Sequence, residues 1–192
     1  MNVYDFDKTI YDGDSTTDFY FFTLKRHKKI LRFVPSLFVA FVGYYVFNKG
    51  NKTLLKENLY RFLTVCTEDD IKDFWAINEK KIKPWYLLQK KDDDLIISAS
   101  SEFLLTPICE KLSVSLIASK VSFETGKYTG KNCNSIEKVN RFKESFGVAK
   151  IDEFYSDSYS DEPIALLSKK AFIVKKDKIT PWDFTKHKKV RI

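Results

Sequence analysis

The residue pattern predicts an α/β fold with a parallel sheet and an all-helical insertion after the first strand. Three observations carry that prediction. A short apolar strand opens the chain at Val3 and gives way to polar, glycine-containing sequence by Gly13. The stretch 15–89 shows helical spacing of its apolar residues and no convincing strand. From residue 90 onward, apolar β-branched runs alternate with helical patterns, as a parallel sheet with crossover helices requires. The expected core is 1–14 with 90–192, and the expected helical cap is 15–89.

The first strand is Val3, Tyr4 and Phe6, with Asp5 and Asp7 two residues apart. In extended chain their carboxylates would leave the same face. Carboxylates that close repel, and a divalent cation or a retained proton offsets the repulsion. Ser15-Thr16-Thr17-Asp18, after Asp14, has the chemistry of a helix cap, and Phe19 to Leu24 is strongly aromatic. Leu54, Leu55, Leu59, Phe62 and Leu63 form one apolar stripe, and Ile71, Phe74, Trp75 and Ile77 another. Pro84 and the charged break from Lys90 to Asp94 bound the insertion.

Leu95-Ile96-Ile97 is a strand buried on both faces and ending at Ser98. Glu102 to Leu112 is helical in pattern despite Pro107, and Val114 to Ala118 is a strand. Gly126 separates the extended pieces Val121–Phe123 and Tyr128–Thr129, which predicts a small hairpin or flap. Ser135 caps an amphipathic helix that runs to Phe146 and stops at Gly147. Ile151 to Tyr155 is a fourth strand, Pro163 to Lys169 a helix, and Ala171 to Val174 a fifth strand.

Composition narrows the function classes. A hydrophobic fraction of 44% over 192 residues excludes a disordered chain and suits one domain with an insertion. Cys66, Cys109 and Cys133 are widely spaced with no C-x-x-C pair. That argues against a disulfide framework or zinc ribbon and for a reducing cytoplasm. A strand beginning at Val3 leaves no room for a signal peptide. The run Phe33 to Phe47 is uncharged, but shorter than the roughly 20 residues a spanning helix needs, and Pro35 and Gly43 interrupt it. A buried or interfacial helix is expected there in preference to a membrane anchor, which leaves room for peripheral membrane contact. The net charge of +7 would attract phosphorylated substrates. Lys186, His187, Lys188, Lys189 and Arg191 form a basic tail, read as a solvated terminus in preference to a nucleic-acid or anionic-lipid site. His27 and His187 fall in basic runs and are expected to be solvated. Nothing in the pattern sets the oligomeric state.

Ligands of open α/β sheets bind beyond the carboxyl ends of the strands. Asp5 and Asp7, Ser98, and Asp157 and Asp161 fall at those ends, with Lys138 on the helix before the fourth strand. This inventory suits phosphoryl transfer through an aspartyl phosphate, because a carboxylate nucleophile splits hydrolysis into two easier displacements. Cations must screen the incoming charge, and Mg²⁺ prefers oxygen ligands such as Asp5, Asp157 and a backbone carbonyl. Lys138, Ser98 and the amide of Ala99 would hold the transferring oxygens. Lys131 is a rival to Lys138, and Asp161 has an alternative role as a helix cap.

Asp5-Phe6-Asp7-Lys8-Thr9 resembles the D-x-D-x-T signature of the haloacid-dehalogenase (HAD) superfamily. Ile96-Ile97-Ser98-Ala99-Ser100 resembles its second motif, Glu137-Lys138-Val139 its third, and Asp157 to Asp161 with Pro163 beyond its fourth. The helical insertion matches the place of that superfamily's cap, and the whole resembles the phosphoserine-phosphatase-like subfamily. The resemblance implies a Rossmann-like core and a Mg²⁺-dependent phosphatase acting on a small phosphomonoester. It implies Asp5 as nucleophile and metal ligand, and Asp7 as general acid and base with its main-chain carbonyl on Mg²⁺. Thr9 would brace the loop, Ser98 and Lys138 would bind phosphate, Asp157 would ligate Mg²⁺, and Asp161 would support the metal site. For phosphoserine itself, Asp14 would supply the acidic contact, and Arg61 is the nearest candidate for the arginine. Ser156 stands where the subfamily commonly has Gly. The alternatives are a non-catalytic or weakly active protein on this fold that binds membrane or nucleic acid, and a phospholipid-related phosphatase. A regulatory receiver domain would lack the insertion 15–89.

Overall fold

The computed structural model describes residues 1–45 and 52–185. Six strands form one sheet: β1 (Val3–Tyr4), β2 (Leu95–Ser101), β3 (Ser115–Ser119), β4 (Ile151–Ser156), β5 (Ser168–Lys175) and β6 (Lys178–Pro181). Their order is β3-β2-β1-β4-β5-β6, and the first five pair in parallel. The chain steps from β1 to one side for β2 and β3, then crosses back to the other for β4 and β5. The carboxyl end of β1 is therefore the switch point where a ligand crevice opens.

Side-chain alternation along the strands builds two cores. Tyr4, Ile96, Tyr155 and Val174 face one side, where they meet Leu104, Leu105 and Ile108 of α6 (Glu102–Leu112) and the helices between β1 and β2. Val3, Leu95, Ile97, Phe154 and Ile173 face the other, against Val139 and Phe142 of α7 (Ile136–Phe146) and Ile164 of α8 (Glu162–Ala165). Burial on both faces explains the continuous apolar run at Leu95 to Ile97.

Between β1 and β2 lie α1 (Ser15–Arg26), α2 (Val34–Tyr45), α3 (Lys52–Tyr60), α4 (Glu68–Asn78) and α5 (Pro84–Gln89), with 3₁₀ turns at Lys28–Phe33 and Arg61–Val65. Asp14, not the Ser15–Asp18 run, caps α1: its carboxylate accepts from the Thr17 amide at 2.9 Å. Aromatic edges hold this layer together, with Phe19 against Phe62 and Phe74 at 5.7 and 5.3 Å between ring centroids. Trp75 meets both Phe6 and Tyr11, tying the helices to the loop after β1. Gly126 also contributes: it has φ +69°, and an added Cβ would lie 2.5 Å from the Tyr60 carbonyl oxygen. Only glycine lets that segment approach the end of α3.

Several elements differ from the sequence expectation. β2 continues three residues past Ser98 after a register irregularity between Ile97 and Ser101. The helix expected over Pro163 to Lys169 stops at Ala165, because residues from Ser168 pair with β4 instead. β6 runs antiparallel to β5 at the sheet edge. The segment 178–181 shows no apolar alternation, so its pairing had no signature. The hairpin around Gly126 reduces to a single bridge, Val121 to Tyr128. Ser135 precedes α7 with φ 52° but its side chain makes no capping hydrogen bond. Ile77 is exposed, not part of a buried stripe. Of the Phe33–Phe47 run, the last two residues lie outside the described residues, as does the basic tail from Lys186 to Arg191 with His187.

His27 is not simply solvated. Its Nε2 lies 2.8 Å from Asp70 Oδ2, and Arg26 Nε is 3.3 Å from the other oxygen, so the end of α1 is tied to the start of α4. Burial raises the Asp70 pKa, but the Thr67 amide and His27 outweigh it and hold the carboxyl below its usual value. A depressed folded-state pKa means the stabilisation is complete above about pH 4 and is lost as pH falls through the folded value. Asp70→Asn is therefore expected to cost about 1 kcal/mol in urea denaturation at pH 7. The gap between variant and wild type should narrow at pH 3.

Candidate active site

The site begins with the loop after β1. Asp5 continues the pairing by donating its amide to the Tyr155 carbonyl at 2.8 Å. The chain then tightens, with the Phe6 carbonyl accepting from the amides of Thr9, Ile10 and Tyr11. Lys8 takes the left-handed conformation at φ 59°. A non-glycine residue holds that geometry only when neighbours over-determine it. Here the Lys8 amide donates to the Gly13 carbonyl, and buried Lys83 donates to the Lys8 carbonyl at 2.9 Å. The same ammonium reaches the Lys176 carbonyl at 2.6 Å, pinning the loop to the β5–β6 turn.

Lys138 is 1% exposed and stands at the centre. Its Nζ donates to Asp5 Oδ1 at 2.7 Å and to Asp161 Oδ2 at 2.8 Å. One ammonium thus serves two carboxylates. Desolvation alone would lower the Lys138 pKa, but Asp161 and Asp5 raise it overall, so the amine stays charged. Burial pushes the Asp5 carboxyl up, opposed by Lys138 and reinforced by Asp161 and Asp157. The excess negative charge therefore falls on the acids. The second Asp5 oxygen accepts from the buried Thr9 hydroxyl at 3.1 Å. That hydroxyl in turn accepts from the Asp157 amide at 2.8 Å, so Thr9 joins the first and fourth strand ends. Burial also raises the Asp157 pKa, against the pull of Lys175 and Lys8.

Ser156 shows what a serine does where glycine is common. Its hydroxyl donates to Asp161 Oδ2 at 2.8 Å and accepts from the Ser158 amide at 3.1 Å, bracing the turn from inside. Asp161 sits at the cap position of α8 but makes no capping bond; its oxygen is committed to Lys138 and Ser156. Asp161 Oδ1 is buried with no hydrogen-bond partner among the described residues.

Asp7 lies across the cleft. The Ser15 amide, at the start of α1, donates to its Oδ1 at 2.6 Å, and the Ser100 hydroxyl donates to its Oδ2. Burial and the nearby Asp14 raise the Asp7 pKa to about 6, with the Ser100 and Ser15 hydrogen bonds holding it from going higher. Ser100 also lies 3.2 Å from the Thr16 hydroxyl, which is 3.4 Å from the Tyr60 hydroxyl at the end of α3. Helical layer and sheet are thereby joined beside the acid. The buried Ser98 hydroxyl accepts from the Ser100 amide at 3.1 Å.

Asp5, Asp7, Asp14, Ser98, Ala99, Lys138, Asp157 and Asp161 all line one cleft of about 380 Å³, with Thr9 buried beneath it. Lys131 does not: it lines a separate groove with Lys120 and Arg141. Arg61 is turned away as well, donating to the Ser36 hydroxyl and lying over the Phe33 ring. Sequence reasoning missed Ser100 and Ser15 as partners of the acid, and Thr16 and Tyr60 behind Ser100. Ser100 sits two residues past Ser98, so strand alternation was the one available signal. Among the described residues, no three His, Cys, Asp or Glu side chains converge as an all-protein metal cage would. The donors that do line the cleft are hard oxygens.

Fold and cleft together define an α/β protein whose acidic, lysine-bearing site lies at the carboxyl ends of parallel strands, under an inserted helical layer. The haloacid dehalogenase-like hydrolase family matches residues 3–166, and the chain belongs to that family. Among solved structures, it is similar to a Bordetella pertussis Tohama I protein of unknown function, with TM-score 0.70 and 18% identity over 89% of this chain and 87% of that one. It is similar to a phosphoserine phosphohydrolase-like protein from Francisella tularensis subsp. tularensis SCHU S4, with TM-score 0.53 and 14% identity over 89% and 86%. A substrate-bound phosphoserine phosphatase matches with TM-score 0.52 and 13% identity over 88% and 82%. At these identities the likeness is one of fold. No curated protein matches the sequence.

Proposed function

We propose that the protein is a Mg²⁺-dependent phosphatase that hydrolyses a small phosphomonoester through a phospho-Asp5 intermediate. The observation that carries this reading is the buried Lys138 ammonium bridging Asp5 and Asp161, in the same cleft as a second acid, Asp7, held by a helix-terminal amide. An Asp5 oxygen attacks phosphorus, the ester P–O bond breaks, and the leaving oxygen takes a proton from Asp7. Water then attacks the acyl phosphate, Asp7 takes its proton, and the bond to Asp5 breaks to release phosphate. A pKa raised to about 6 brings the Asp7 carboxyl closer to neutral pH than an ordinary Asp, which suits a group that must both give and take a proton.

Lys138, the Ser98 hydroxyl and the Ala99 amide hold the phosphoryl oxygens. Mg²⁺ needs only one or two protein carboxylates beside waters and substrate oxygens, and the carboxylates lining this cleft could supply them. Asp5 and Asp157, with the Asp7 carbonyl, would hold the ion and Asp161 would support it. When bound, it supplies the charge that lets a phosphate dianion enter a carboxylate-rich cleft. Asp14 lines the same cleft and would offer its carboxylate to a cationic group on the substrate. With Arg61 turned to Ser36, that arginine does not line the cleft, which counts against phosphoserine. The three free thiols suit a reducing cytoplasm.

The test is phosphate release from an aryl phosphate with and without Mg²⁺. Wild type is expected to turn over only with the ion, and Asp7→Asn to lose about 10²–10⁴-fold in kcat. Unchanged turnover by Asp7→Asn would remove the acid–base assignment, and an inactive wild type would remove the reading.

A further inference from the structure

We infer that the face made by the Lys28–Phe33 turn and α2 docks on an anionic phospholipid bilayer. A helix that is apolar all round is ordinarily buried, yet α2 is not. Phe38 and Val39 are 66% and 69% exposed, and Leu31 on the preceding turn is 54% exposed. Val34 and Pro35 are exposed beside them. Apolar surface of this kind, in one continuous stretch, marks an interaction site.

Charge identifies the occupant. Eight lysines and arginines, and no Asp or Glu, lie between Asp18 and Glu57. Lys25, Lys28, Lys29 and Arg32 are exposed, and the last three sit on the turn that runs directly into α2. Basic side chains therefore border the apolar ones. That pairing fits a negatively charged lipid surface, where ammonium and guanidinium groups meet headgroups while rings and aliphatic chains enter the acyl boundary. A second copy of this chain fits poorly, since a two-fold contact would bring the same cations together. The helix is about 18 Å long, well short of a hydrocarbon core about 30 Å thick. No helix among the described residues is long and apolar enough to cross a membrane. The docking is therefore interfacial.

Flotation of the full chain with vesicles tests the inference. Vesicles one-third phosphatidylglycerol in phosphatidylcholine are expected to bind at least about tenfold more protein than pure phosphatidylcholine, with binding falling as salt rises. Lys28→Glu/Lys29→Glu and Phe38→Glu/Val39→Glu should each lower that binding about tenfold or more. All four positions are exposed, so unchanged thermal melting and unchanged hydrolysis of a soluble phosphomonoester would show that the fold persists. Equal binding by wild type and both variants would assign the membrane contact to another segment, such as the basic tail, and overturn the inference. So would absence of binding at physiological salt, or self-association abolished by Phe38→Glu/Val39→Glu without any vesicle binding.

Discussion

Replacing Asp5 with Asn is expected to reduce phosphate release from an aryl phosphate by on the order of 10³-fold or more, with folding retained. The amide keeps the size of the side chain and one oxygen to accept from Lys138 Nζ, now 2.7 Å away. It removes the anionic oxygen that would bond to phosphorus. Because Asp161 still accepts from the same ammonium at 2.8 Å, the charge of Lys138 stays partly compensated. Loss of a nucleophile should leave substrate binding largely intact, so kcat falls while KM moves little. Acid-quenched wild-type enzyme mixed with labelled substrate should carry phosphate on Asp5, and the variant none. Near-normal kcat in Asp5→Asn would rule out covalent catalysis at this position.

Replacing Lys138 with Met is expected to be the most destabilising single change in the cleft, at about 3–5 kcal/mol. Its side chain is 1% exposed, and the Asp161 side chain beside it only 4%. Without the ammonium, two carboxylates face each other in a buried site with no cation between them. Burial and mutual repulsion already push Asp5 up in its presence. For a domain of this size, the loss corresponds to a fall in melting temperature of about 10 °C. Adding Asp161→Asn to Lys138→Met should restore part of it, since one of the two stranded charges is removed. The double variant therefore tests the charge argument directly: if it is no more stable than Lys138→Met, packing and not electrostatics governs the site.

Local pattern made much of this legible. That Asp5, Asp7, Ser98, Asp157 and Asp161 belong to one cleft was legible because each falls at a strand end, and Lys138 was favoured by its helix and by the spacing the family resemblance implies. Tertiary contacts decided the rest. Lys131 and Lys138 are both lysines after the third strand, and only the packing of α7 against the sheet turns one inward and leaves the other in a separate groove. Arg61 was a candidate by residue type alone, and the placement of its helix layer sends it to Ser36 instead. For Ser100 the sequence offered only strand alternation with Ser98, and nothing in it pointed to Asp7, 93 residues away, as its partner. β6 escaped because its pairing with β5 supplies the order that its own residues do not encode.

The amino-acid sequence by itself determined the class of chain this is: an opening acid pair, an inserted helical layer and an alternating α/β core, each written in short-range periodicity. Folding alone decided which polar groups share a cation or a proton, and which apolar side chains of the insertion stay in water. The reason is one of distance. Periodicity is set by residues within a few turns of each other, whereas charge compensation and surface exposure depend on atoms brought together from positions such as 5, 138 and 161.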